Sequence, residues 1–111
     1  MLHSVWQTRV TEKSRELSQE LSVLELRAAV TRLRRELAGH AAEFKDRAIA
    51  EDELSALAGM AADGDPEVAR MRRSLLLIVG SIGSVSVLRP ALMGVRDAVE
   101  LFSDALPRRL G

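Results

Sequence analysis

Few residues in this chain have the type and spacing that chemistry requires. His3 and His40 are the only histidines, one near the N-terminus and one beside Gly39 at an expected loop. Neither has a second histidine or an acidic pair at metal-ligand spacing, so both read as solvated side chains. Serines are plentiful, but no histidine is placed to activate one. Cysteine is absent, which excludes disulfides, thiol nucleophiles and thiolate metal sites. Glu51-Asp52-Glu53 could be imagined as an acid/base or divalent-metal cluster, yet adjacent residues of a helix point in different directions. A solvated helix start explains them better. GSIGS (residues 80–84) and AGH (38–40) lack the GK[ST] and the preceding strand of a phosphate loop. No catalytic, cofactor-binding or metal-binding residue is assigned, and neither an enzyme activity, a cofactor nor a small-molecule substrate is expected.

Arginine offers two denser groups, Arg32, Arg34 and Arg35, and Arg70, Arg72 and Arg73. Side by side they could contact phosphates or an acidic partner. Sixteen basic residues balance sixteen acidic ones, however, so net charge gives no reason to expect nucleic acid. Residues 46–70 are rich in acids and residues 71–111 in arginine, an asymmetry that suits helices attracting one another within one domain. Pairs such as Arg32 with Glu36 and Glu43 with Arg47 stand at the i,i+4 spacing of solvated helix surfaces.

The elements that must position these residues all read as helices. Ser74 to Leu88, SLLLIVGSIGSVSVL, holds no charge in fifteen residues. As a helix it would span about 22 Å, short of the roughly 20 apolar residues that a bilayer crossing needs. Val68, Met71, Leu75, Ile78, Ile82 and Val85 recur at steps of three and four, the spacing of a buried helix in a small all-helical domain. Gly80 and Gly83, with Leu76 and Val87, form a smooth strip beside that stripe. They predict a close approach of helices in the core, where glycine lowers helix stability by roughly 1 kcal/mol but admits tight contact.

Ser4 and Gln7 form a capping-box pattern, and no glycine or proline intervenes before Gly39, so helix one is expected to reach about residue 38. Asp46 is a candidate N-cap for helix two, with Ala50, Leu54, Leu57 and Ala61 on one face and three acids near a favourable helix start. Asp63-Gly64-Asp65-Pro66 punctuates the chain before helix three. Arg89-Pro90 is expected to kink or divide that helix. Leu92, Val95, Val99 and Phe102 continue the periodic pattern, and residues 106–111 are expected to fray. The fold class is all-α: a bundle of three long helices, the third kinked or split at Pro90, with a long N-terminal helix. Its expected divisions are an N-terminal arm (1–25), a bundle (26–105) and a tail (106–111). MLHSVWQTRV lacks the basic start and apolar core of a signal peptide, which predicts cytoplasmic residence.

Helix one carries two faces. At roughly 100° per residue, Trp6, Val10, Leu17, Leu21, Leu24 and Ala28 fall in one stripe, and Leu26, Val30, Leu33 and Leu37 in another about 180° away. The second stripe would pack on the domain's own core, with Leu33, Leu37, Leu54, Leu57, Met71, Leu75, Ile78, Ile82, Val85, Leu92, Val95, Val99 and Phe102 as its central residues. The first, chiefly Trp6, Val10, Leu17, Leu21 and Leu24, would pack on another copy of the chain or on another protein, unless helix one is wrapped by the other helices or breaks near residue 25. Four aliphatic residues contribute roughly 6–12 kcal/mol gross when buried. Association costs about 4–15 kcal/mol, so a weak dimer is the natural product. Lys13 and Ser14 interrupt the stripe, and it covers fewer than three heptads, too few for a long coiled coil.

The segment Leu26 to Phe102, above all EDELSALAGM, RRSLLLIVGSIGSVSVL and VRDAVELF, resembles small actinobacterial all-helical families described only as domains of unknown function. More distantly it is similar to helical adaptor domains attached to bacterial conflict-system effectors. That likeness implies protein–protein association and carries over no functional residue. The expected function is therefore a non-enzymatic interaction or oligomerisation module, with a homo-oligomer (a dimer above all) or a helical protein as partner. Two other classes compete: a membrane-active protein inserting residues 74–88, and a small nucleic-acid-binding regulator using the arginine groups.

Overall fold

The computed structural model describes the backbone of residues 2–40, 46–63 and 67–105, and the side chains in those ranges apart from 2–11, 15, 104 and 105. Among the described residues four α-helices form a bundle, α1 (Leu2–Gly39), α2 (Arg47–Asp63), α3 (Val68–Ile82) and α4 (Arg89–Ala105), with a 3₁₀ turn at Ser86–Leu88 leading into α4. Each helix packs chiefly on two neighbours, in the cyclic order α1–α2–α3–α4. The described residues contain no strand. Leu, Ala, Glu and Arg dominate the helices and rank high in helix propensity, but the apolar spacing decides which side of each helix faces inward.

That spacing is regular throughout. α1 buries Leu26, Val30, Leu33 and Leu37, and α2 buries Ala50, Leu54, Leu57 and Ala61. α3 contributes Met71, Leu75, Ile78 and Ile82, and α4 contributes Leu92, Val95, Val99 and Phe102. All of these belong to one contiguous core, against which Val85 is only half-buried. Alanines at 50, 61, 91 and 98 occupy buried positions and keep the helix surfaces smooth enough for close packing.

The third helical segment divides earlier than Pro90. α3 ends at Ile82, the Gly83 amide donates to the Val79 carbonyl (2.8 Å), and Val85 is extended. Further turn bonds run from the Val85 amide to Ile82 (3.0 Å) and from the Leu88 amide to Val85 (3.1 Å). Residues 81–87, SIGSVSV, combine serine, glycine and β-branched side chains, all weaker helix formers than leucine or alanine. Pro90 lies in the first turn of α4, where its missing N–H breaks no helical bond. The uncharged segment thus runs through the last nine residues of α3 and the turn that leads into α4, with Leu75, Ile78, Ile82 and Leu88 buried. Among the described residues no helix is long and apolar enough to cross a membrane.

Other helix ends differ from expectation in detail. α1 begins at Leu2, so Ser4 lies inside the helix and not at its N-cap. Asp46 does occupy the N-cap of α2, its carbonyl accepting the first helical bond from Ala50 (3.2 Å). Glu51, Asp52 and Glu53 fall beyond the first turn of α2, where the dipole's influence has faded. The expected signals at Gly64, Asp65 and Pro66, the Glu43–Arg47 pair and the tail at 106–111 lie outside the described residues.

Arg47 ties α2 to the end of α1. Its guanidinium donates to the carbonyls of Leu37 (2.6 Å) and His40 (2.7 Å) and pairs with Glu51 (2.9 Å). A half-buried cation therefore meets the terminal carbonyls of α1, which carry the negative end of its dipole. Hydrogen bonds to a charged group contribute about 1.5–3 kcal/mol, so Arg47→Met should lower the unfolding free energy by about 2 kcal/mol in a urea titration. A loss below about 0.5 kcal/mol would mean that water replaces the guanidinium without penalty.

The close helix approach expected at Gly80 is not found there. Gly80 is exposed, with nothing within 4 Å of where a Cβ would stand, whereas a Cβ at Gly83 would run into the carbonyl oxygen of Val79. Gly80 falls on the outer side of α3, as does exposed Leu76, whereas Gly83 sits half-buried in the turn that follows the helix. Gly80→Ala should therefore raise stability by about 1 kcal/mol, and Gly83→Ala should lower it. Thermal melts of the two variants moving in the same direction would contradict this assignment.

Candidate interaction surface

A helix of 38 residues is about 57 Å long, against about 25 Å for the 17 residues of α2 or of α4. The molecule measures 64 × 28 × 22 Å, an elongated shape set by α1. Burial along α1 begins at Ser22, whose hydroxyl donates to the Ser18 carbonyl (2.8 Å), and continues through Leu37. Before Ser22 the described side chains are exposed, apart from half-buried Gln19. The helix runs unbroken through residue 25, so no joint separates the arm from the bundle.

On the face opposite the core, Leu17 is 52%, Leu21 62% and Leu24 57% exposed. Ala28, one turn further, is exposed as well. Trp6 and Val10, expected on the same stripe, have side chains outside the described residues. Glu20 and Arg27 flank the leucines on one side, and Glu25 and Arg32 on the other; all four are exposed. Beside the second flank runs an open groove of about 390 Å³ between α1 and α4, lined by Glu25, Ala28, Arg32, Gly94, Asp97 and Leu101. Leu101, itself half-exposed, was not anticipated as part of this surface. Its only sequence signal is its place between Ala98 and Phe102, one step off the buried face of α4.

Elsewhere the candidate chemistry disperses. Glu51 pairs with Arg47, and Glu51 and Asp52 line a groove with Arg34 between α1 and α2. Glu53 lines a different groove, between α2 and α3, with Arg70 and Arg73. The three carboxylates therefore do not converge. Among the described residues no group of three His, Asp or Glu could hold a metal ion. The first arginine group is also divided. Arg32 pairs with Glu36 (3.0 Å) and shares the α1–α4 groove with Asp97, while Arg34 faces the acids of α2. His40 offers its carbonyl to Arg47, and the side chain of His3 lies outside the described residues. Arg47 itself gave no distinctive signal in the sequence, because its carbonyl partners come from the end of another helix.

A family model described as a family of unknown function (DUF5955) matches residues 15–103. The match is wider than the segment from Leu26 to Phe102, and it takes in Leu17, Leu21 and Leu24 together with most of α4. No curated protein and no solved structure matches the chain.

The two faces of α1 predict opposite sensitivities. In dilute solution Leu26→Ala, at a fully buried site, should cost about 2–5 kcal/mol. Leu24→Ala, two residues away, should stay within about 0.5 kcal/mol of the parent. Equal losses in chemical denaturation would show that both faces are covered within one chain.

Proposed function

The chain belongs to this family of unknown function, and we propose that it is a non-enzymatic helical module that associates with a second copy of itself through the Leu17–Leu21–Leu24 face of α1. One observation supports this above the rest: three leucines at helical spacing remain more than half exposed on the side of α1 that its own bundle cannot reach. A twofold contact uses the same patch on both copies, so a single stripe suffices to build it.

The energies set its strength. Six leucines per dimer, each with about half of its surface to lose, contribute roughly 5–9 kcal/mol gross. The loss of translational and rotational freedom opposes this by about 4–15 kcal/mol. The dimer is accordingly weak and concentration-dependent, with groups flanking the leucines tipping the balance. Light scattering should show a mass rising with concentration from one chain of 12.2 kDa towards two. The double variant Leu21→Glu, Leu24→Glu should remain a single chain with unchanged helical circular dichroism. A parent mass of one chain at every concentration would overturn the proposal.

A further inference from the structure

We infer that the two copies pair antiparallel, with Leu21 of one against Leu24 of the other. The inference rests on the self-association proposed above and comes from the charges beside the seam. With Leu17, Leu21, Leu24 and Ala28 as the seam, Glu20 and Arg27 lie within roughly 90° of its centre on one flank. Glu25 and Arg32 lie on the other. In a parallel, in-register pair, a residue on one flank faces the partner's opposite flank five positions further on. Glu20 would then meet the partner's Glu25, and Arg27 the partner's Arg32. Both of these contacts are between like charges.

Reversing one copy changes each of them. In an antiparallel pair a flank meets the same flank of the partner. Seating Leu21 on the partner's Leu24 sets Leu17 on the partner's Ala28 and brings Glu20 to the partner's Arg27, twice by symmetry. On the other flank Glu25 meets the uncharged Ser18 of the partner subunit. Glu20 and Arg27 are exposed and form no ion pair among the described residues. Glu20 has a like charge, Glu16, one turn before it, and Arg27 has no charged residue three or four positions away on either side. An oppositely charged partner would relieve the first and complement the second. Antiparallel seating also puts the two bundles at opposite ends of the seam, because each covers its own α1 only from Ser22 onward.

Charge exchange in the full-length chain tests the orientation. In low salt, E20R and R27E should each weaken dimerisation about tenfold, two attractive contacts having become repulsive. The double variant E20R/R27E should recover the parental affinity, and an equimolar mixture of the two single variants should form a mixed dimer tighter than either alone. About 1 M salt should erase these differences. A parallel pair demands the opposite sign, with each single variant dimerising more tightly than the parent. Single variants as tight as the parent, or tighter, would overturn the antiparallel inference while self-association stands, provided that Leu21→Glu, Leu24→Glu is still monomeric. A parent that never dimerises would overturn both.

Discussion

A helix can present only one face to the bundle it belongs to, and α1 carries two apolar faces about half a turn apart. The core claims the face that holds Leu26, Val30, Leu33 and Leu37, because α2 and α4 both pack there. Geometry then leaves Leu17, Leu21 and Leu24 on the outside whatever their hydrophobicity. No rearrangement of α2, α3 and α4 on the near side can reach the far side without uncovering the core. The exposed leucines and the proposed self-association follow from that conflict.

Where α1 ends, a different interaction takes over. The Arg47 guanidinium spans the carbonyls of Leu37 and His40 and the carboxylate of Glu51, so the last turn of one helix and the first turn of the next share one cation. Backbone acceptors that a helix end leaves unpaired are met from the neighbouring element. Between α3 and α4 the turn at Gly83–Val85 does comparable work with weak helix formers, ending α3 and allowing both Ile82 and Leu88 to be buried. Pro90 starts the next helix and does not break the previous one.

Polar surfaces show how much the tertiary arrangement redistributes. Arg32 and Arg34 are near neighbours in the chain, yet they look into grooves on different sides of α1, each with a carboxylate nearby. Glu51 and Glu53 likewise belong to separate grooves. Residues close in sequence but offset around a helix face different elements, so clusters in the chain need not be clusters in space.

The helical class and most inward faces were legible from the residues alone, because apolar residues at steps of three and four leave a helix one side to bury. Ala50, Leu54, Leu57, Met71, Ile78, Val95 and Phe102 were legible in this way. The sequence also exposed the double character of α1, since opposing stripes can be counted from spacing alone. Packing between helices settled which stripe the bundle covers, where the uncharged segment divides, and that Gly80 faces outward. It also supplied the carbonyls that Arg47 holds. Periodicity describes one helix at a time, whereas these outcomes depend on which neighbour arrives at each face.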